Sequence, residues 1–173
     1  MHEIEDSKRA FASAVGEWLN IEKSFHSEAM FLLGLLDQHE DNQTFRRAFV
    51  RSSWAQIEGS CYCLKEIASA AMMLEGAPHI KLPHDKKSGA IERVKLSIKA
   101  ATMVLSPNLK PDFNSVAWAS LKRSIATRNA LAHPKNASDL NVSSESMSDA
   151  RLGFEWFIQT IRDISQTARD RSV

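Results

Sequence analysis

The sequence predicts an all-α fold, an antiparallel up-down bundle of about five helices. Three observations lead there. Apolar residues recur at three- and four-residue steps through most of the chain, the period of a helix with one buried face. Almost no segment alternates with period two, so strands are not required. Four of the five prolines (Pro78, Pro83, Pro107 and Pro111) fall between the periodic segments. With 173 residues, 43% of them hydrophobic, the chain is read as a single domain spanning residues 1–173 around one core.

The first helix is expected from about Ile4 to Gln38, where Phe11, Val15, Trp18, Phe25, Ala29, Leu32 and Leu36 form a stripe interrupted at Glu22. Asp41 or Asn42 caps the second. Its stripe, Val50, Trp54, Ile57, Cys61, Leu64, Ala68 and Ala71, alternates steps of four and three without a break and ends near Gly76-Ala77-Pro78. Two long helices with a short connection pack antiparallel. A loop from Ala77 to Asp85 follows, with Asp85 as the cap of a third helix. That helix carries Ile91, Val94, Ile98, Ala101 and Leu105 and stops at Ser106-Pro107. A fourth begins near Asp112 with Trp118, Leu121 and Ile125 facing inward. The polar stretch Asn136–Ser144 reads as a loop, and a fifth helix follows with Leu152, Trp156, Ile161 and Ile164 on its apolar face.

Composition narrows the function classes. The net charge is +1, so no bulk basic field draws the protein onto nucleic acid, and any RNA contact must use a local patch. Cys61 and Cys63 lie about 200° apart on a helix, so they neither pair nor share a metal, and one is expected to face the core. The charged start of the chain lacks a signal-peptide h-region. The apolar stretch around Ala29–Leu36 is far shorter than the roughly 20 residues that span a bilayer. A cytoplasmic protein off the membrane is the expectation. His79, His84 and Asp85 match no standard zinc spacing, so neither a metal nor a cofactor is expected.

The segment with distinctive chemistry is Arg128-Asn129-Ala130-Leu131-Ala132-His133-Pro134. Extending the fourth helix's stripe past Ile125 reaches Arg128 and then Ala132, so an arginine occupies an inward position. A buried guanidinium is costly unless it is paired or faces a cleft or a partner. In a continuous helix His133 would point about 140° away from Arg128. Pro134 disfavours the α conformation at the preceding residue, so the helix ends at or before His133 and its ring is freed to turn toward Arg128. Basic residues before a proline are also an ordinary helix stop.

The segment resembles the signature of the HEPN family: an arginine, a polar residue (often asparagine), a short variable stretch and a histidine at the end of a helix in a helical bundle. Leu131-Ala132-His133-Pro134 and the second-helix run from Arg51 to Glu58 also look like members of that family. The resemblance implies a metal-independent endoribonuclease, a toxin or defence effector, working as a homodimer whose motif helices meet at a composite cleft. It further implies His133 as general acid or base, Arg128 on the scissile phosphate and Asn129 orienting either. The products would be 2′,3′-cyclic phosphate and 5′-hydroxyl ends. RNA is the implied substrate and an antitoxin or regulatory protein a partner. Where some family toxins carry a modifiable tyrosine two residues after the histidine, this chain has Lys135.

Arg46, Arg47, Arg51 and Glu58 on the second helix and Lys122 and Arg123 on the fourth are candidates for an RNA-backbone patch. The alternative for each is a solvated face whose charges pair along the helix. The rival to catalysis as a whole is a non-catalytic module of the same fold that dimerises, docks a partner or binds a nucleotide.

Overall fold

The computed structural model describes residues 2–74 and 88–170. Among these, 85% are helical, in five α-helices packed against one another with no strand, so the protein is an all-α helical bundle. In chain order the helices are α1 (His2–Gln38), α2 (Gln43–Leu74), α3 (Ala90–Leu105), α4 (Val116–Ala132) and α5 (Ser144–Asp170). A single 3-10 turn, Ala137–Leu140, interrupts the connection from α4 to α5. The expected end of the second helix at Gly76-Ala77-Pro78, the Asp85 cap, and His79 and His84 lie outside the described residues.

Sequence accounts for most helix ends. Asn42 caps α2, its Oδ1 accepting the backbone N–H of Thr44 at 3.0 Å and of Phe45 at 3.2 Å. The α4 cap is Ser115 rather than a residue near Asp112. Its side chain accepts the Trp118 N–H at 3.1 Å, while Asp112 Oδ1 turns the chain just before by accepting the Asn114 N–H. Ser106 closes α3 ahead of Pro107, its N–H donating to the Thr102 carbonyl.

The chain divides into two compact units interleaved along the sequence. One comprises Met1–Ile21, Glu58–Pro111 and Thr160–Val173, the other Glu22–Ile57 and Asp112–Gln159. In the first, Ala68, Ala71 and Met72 of α2 pack with Ala100 and Val104 of α3, flanked by Phe11 and Leu105. Small residues on both helices let this core close tightly. The Ser106 hydroxyl donates to the Ile164 carbonyl at 2.8 Å and joins the end of α3 to α5. Both cysteines are buried here, not one as the helical angle suggested, because α2 is covered on more than one side. Burial raises both thiols above their ordinary range, and at Cys61 a hydrogen bond with Ser97 opposes the rise.

The second unit is built on aromatics. Phe49 meets Phe154 edge-on with ring centroids 5.8 Å apart, and Phe113, Trp118 and Trp156 form a mutual cluster. The Trp54 indole donates to Ser124 Oγ at 3.1 Å, and that hydroxyl donates onward to the Leu121 carbonyl. α4 and α5 approach closely at Gly153 of α5, where a Cβ would lie 2.6 Å from Leu121 Cα. Arg123 of α4 grips Asp149 of α5 through both carboxylate oxygens, at 2.6 and 2.8 Å. These contacts fix α4 on α5. Of the apolar face expected for the fifth helix, Ile161 and Ile164 are buried and Trp156 packs in the aromatic cluster, and Leu152 is the residue that does not face inward. Ala150, Phe154, Phe157, Ile158, Ile161 and Ile164 are the buried apolar side chains, whereas Leu152 is 38% exposed.

A candidate site at the end of α4

The fourth helix ends as the proline argument requires. His133 is its C-cap, with φ −136° and ψ 62°, outside the α region, and its N–H still donates to the Asn129 carbonyl at 3.0 Å. The inward position expected for Arg128 is realised only in part. Its angular neighbours Ser124 and Leu131 are buried, but Arg128 itself is half-buried and Ala132, the next expected inward residue, is exposed. The stripe shifts back by one residue in the last turn, where Leu131 fills the core in place of Ala132. Arg128 therefore lies at the rim of the buried face with its guanidinium within reach of solvent.

The three motif residues form one connected group. Arg128 Nη1 donates to Asn129 Oδ1 at 3.2 Å, while the Asn129 carbonyl accepts the His133 N–H. Asn129 thus touches the arginine through its side chain and the histidine through its backbone. His133 is exposed, and among the described residues its ring makes no hydrogen bond, to Arg128 or to any other group. A guanidinium and an imidazole carried by the last turn of one helix are groups that can bind an anion and move a proton.

Arginines on α2 hold this helix end from outside. Arg51 Nη2 donates to the Leu131 carbonyl at 3.0 Å, one of the orphan acceptors of the last turn of α4. Arg47, one turn earlier, donates to the Leu140 carbonyl at 3.1 Å and to Thr44 Oγ1. The two guanidiniums therefore bracket the segment that carries His133. Arg46 is buried and donates to the carbonyls of Glu40 and Val142, to Asp41 Oδ1 and to Ser144 Oγ. Gln43 adds two bonds to the Val142 backbone, through Nε2 at 3.1 Å and Oε1 at 2.8 Å. Beyond the motif the chain is pinned by a capping box, in which Asn136 and Asp139 satisfy each other's backbone N–H groups.

Of the residues singled out as an RNA-backbone patch, Arg51 stands at the motif and Arg47 at the loop beyond it. Lys122 is exposed on α4, on the same helical stripe as Ala126 and Asn129. Glu58 belongs to the other compact unit. The pattern missed in the sequence is Gln43-x2-Arg46-Arg47-x3-Arg51, whose four polar side chains serve carbonyls that lie far along the chain. A cleft of about 410 Å³ in the same unit is lined by Leu36, Asp37, Glu40, Arg46, Met147 and Arg151 among others. None of the motif residues lines it. No described helix is long and apolar enough to cross a membrane. No family model, curated protein or solved structure matches the chain.

Proposed function

We propose that this chain is a metal-independent endoribonuclease of HEPN type that acts as a toxin or defence effector, with Arg128, Asn129 and His133 as its catalytic residues. The carrying observation is the joint presentation of Arg128 and His133, linked through Asn129, at a solvent-facing helix end. In the proposed reaction the imidazole takes the proton of an RNA 2′-hydroxyl, whose oxygen attacks the adjacent phosphorus. The bond to the 5′-oxygen breaks, and that oxygen leaves as a 5′-hydroxyl once protonated. A 2′,3′-cyclic phosphate remains, so atoms and charge balance without a metal or an oxidant. Arg128 neutralises the charge gathering on the phosphoryl oxygens, and Asn129 holds it in register. A second copy of the chain completes the cleft and supplies the second proton-transfer group. Lys122 and the outer edges of Arg47 and Arg51 steer the RNA backbone, and a protein partner restrains the activity in the cell.

The test is incubation of the purified protein with RNA in EDTA, with the ends read chemically. Cleavage to cyclic-phosphate ends is the expected result. His133→Ala and Arg128→Ala should each lower it by at least about a hundredfold, the scale of a lost general acid or base, with helical content unchanged. Intact RNA, or full activity in both variants, overturns the proposal. A non-catalytic docking module is the second reading, favoured by the exposure of Met30 and Phe31 on α1.

A further inference from the structure

We propose that the exposed face of α1 around Met30 and Phe31 pairs, turned end for end, with the same face of a second copy of this chain. This inference does not depend on the ribonuclease reading. Met30 and Phe31 are 50% and 66% exposed, adjacent large apolar groups on a helix whose opposite side buries Ala29, Leu32, Leu33 and Leu36. One turn further on is Gly34. A Cβ built there meets nothing within 4 Å. Glycine weakens a helix interior relative to alanine, and no contact among the described residues needs one here. Gly153 is the contrast, since there the backbone of Leu121 leaves no room for a side chain. A glycine with open space above it, beside a protruding phenylalanine, leaves a hollow that a ring from outside the chain can fill.

Charge and symmetry identify the occupant. Lys23, Ser27, Met30, Gly34 and Asp37 follow one another at steps of four, three, four and three, a continuous seam on one side of α1. Lys23 and Asp37 each stand two turns from Met30, with opposite charge. When a second α1 is laid antiparallel about a two-fold axis at Met30, Lys23 of one copy falls opposite Asp37 of the other. In that register Ser27 lies within one residue's rise, about 1.5 Å, of the level of Gly34 on the other copy, so small residues meet and the helices approach closely. Met30 then meets its counterpart at the axis, with Phe31 beside it. A parallel pairing would set lysine on lysine and aspartate on aspartate. Such self-complementarity is what an isologous interface requires, and a foreign partner has no need of it. Asp37 accepts a bond from Arg151 at 2.9 Å, yet its side chain remains 62% exposed, open to a second cation.

Sedimentation equilibrium on the full chain tests this. The wild type should associate, Phe31→Glu should raise the dissociation constant at least a hundredfold, and Gly34→Leu at least tenfold. Both positions face solvent in the single chain, so both variants should keep their circular dichroism. Met30→Cys should give a covalent dimer on mild oxidation, whereas Lys122→Cys, exposed on α4, should not. His133→Ala should leave association unchanged, which separates failure of this proposal from failure of the nuclease reading. A wild type that stays monomeric at 100 μM, or a dimer indifferent to Phe31→Glu, overturns it.

Discussion

Gln56 is fully buried, and neither of its amide atoms has a hydrogen-bond partner among the described residues. Ser52, one turn before it on α2, has an unpartnered hydroxyl as well. A buried polar group left unsatisfied carries its whole desolvation penalty. Gln56→Leu keeps the volume and removes the amide, so it should raise the unfolding free energy by about 1 to 2 kcal/mol, measured by urea titration. A loss of stability instead would mean that the amide has a partner such as a buried water. Pattern reading could not find this residue. Gln56 lies beside Ile57 in the strongest stripe of the sequence, where polar side chains are assumed to face water. Arg46 was misplaced for the same reason. It was grouped with a solvent-facing arginine cluster, and it is buried because its acceptors, Val142 and Ser144, come from nearly a hundred residues away.

At the level of elements, α2 was the most legible and α5 the least. The α2 stripe matched residue for residue because the helix is buried along nearly its whole length. The face of α5 was misjudged at Leu152 because its orientation is set by Gly153, a residue without a hydrophobic side chain to enter a pattern. Adding a single methyl group there tests the close crossing. Gly153→Ala forces α5 away from Leu121 and should cost about 1 to 3 kcal/mol, seen as a lower urea midpoint with little change in slope. An unchanged midpoint would show that the crossing yields at no cost. The motif helix was legible in its stop and its chemistry, since both follow from local rules about proline and polar residues. What holds its end was not. Arg47 and Arg51 reach carbonyls that only the folded chain brings near, and no spacing within α2 announces them.

Across the molecule, α1, α2 and α5 each contribute a segment to both compact units. Helix propagation is cooperative, so a helix shared by two units transmits the melting of one to the other. Urea unfolding should therefore give one midpoint for two probes. Tryptophan fluorescence reports chiefly on the second unit, which holds Trp54, Trp118 and Trp156, and thiol accessibility at Cys61 and Cys63 reports on the first. Separated midpoints would show that the units melt independently. The all-α class itself was readable from periodicity alone. The division into two units was not, because each is assembled from stretches that no composition shift or linker marks off.

Interleaving also bears on how the protein is made. Both units draw on α5, which is synthesised after α1 to α4, so neither has its full set of segments while the ribosome is still adding that helix. The motif at Arg128–His133 is translated before the α5 surface against which its own helix packs, including Gly153 and Asp149. A nascent chain thus displays the chemistry of the site without its support, and the site takes its final form only once α5 has been made.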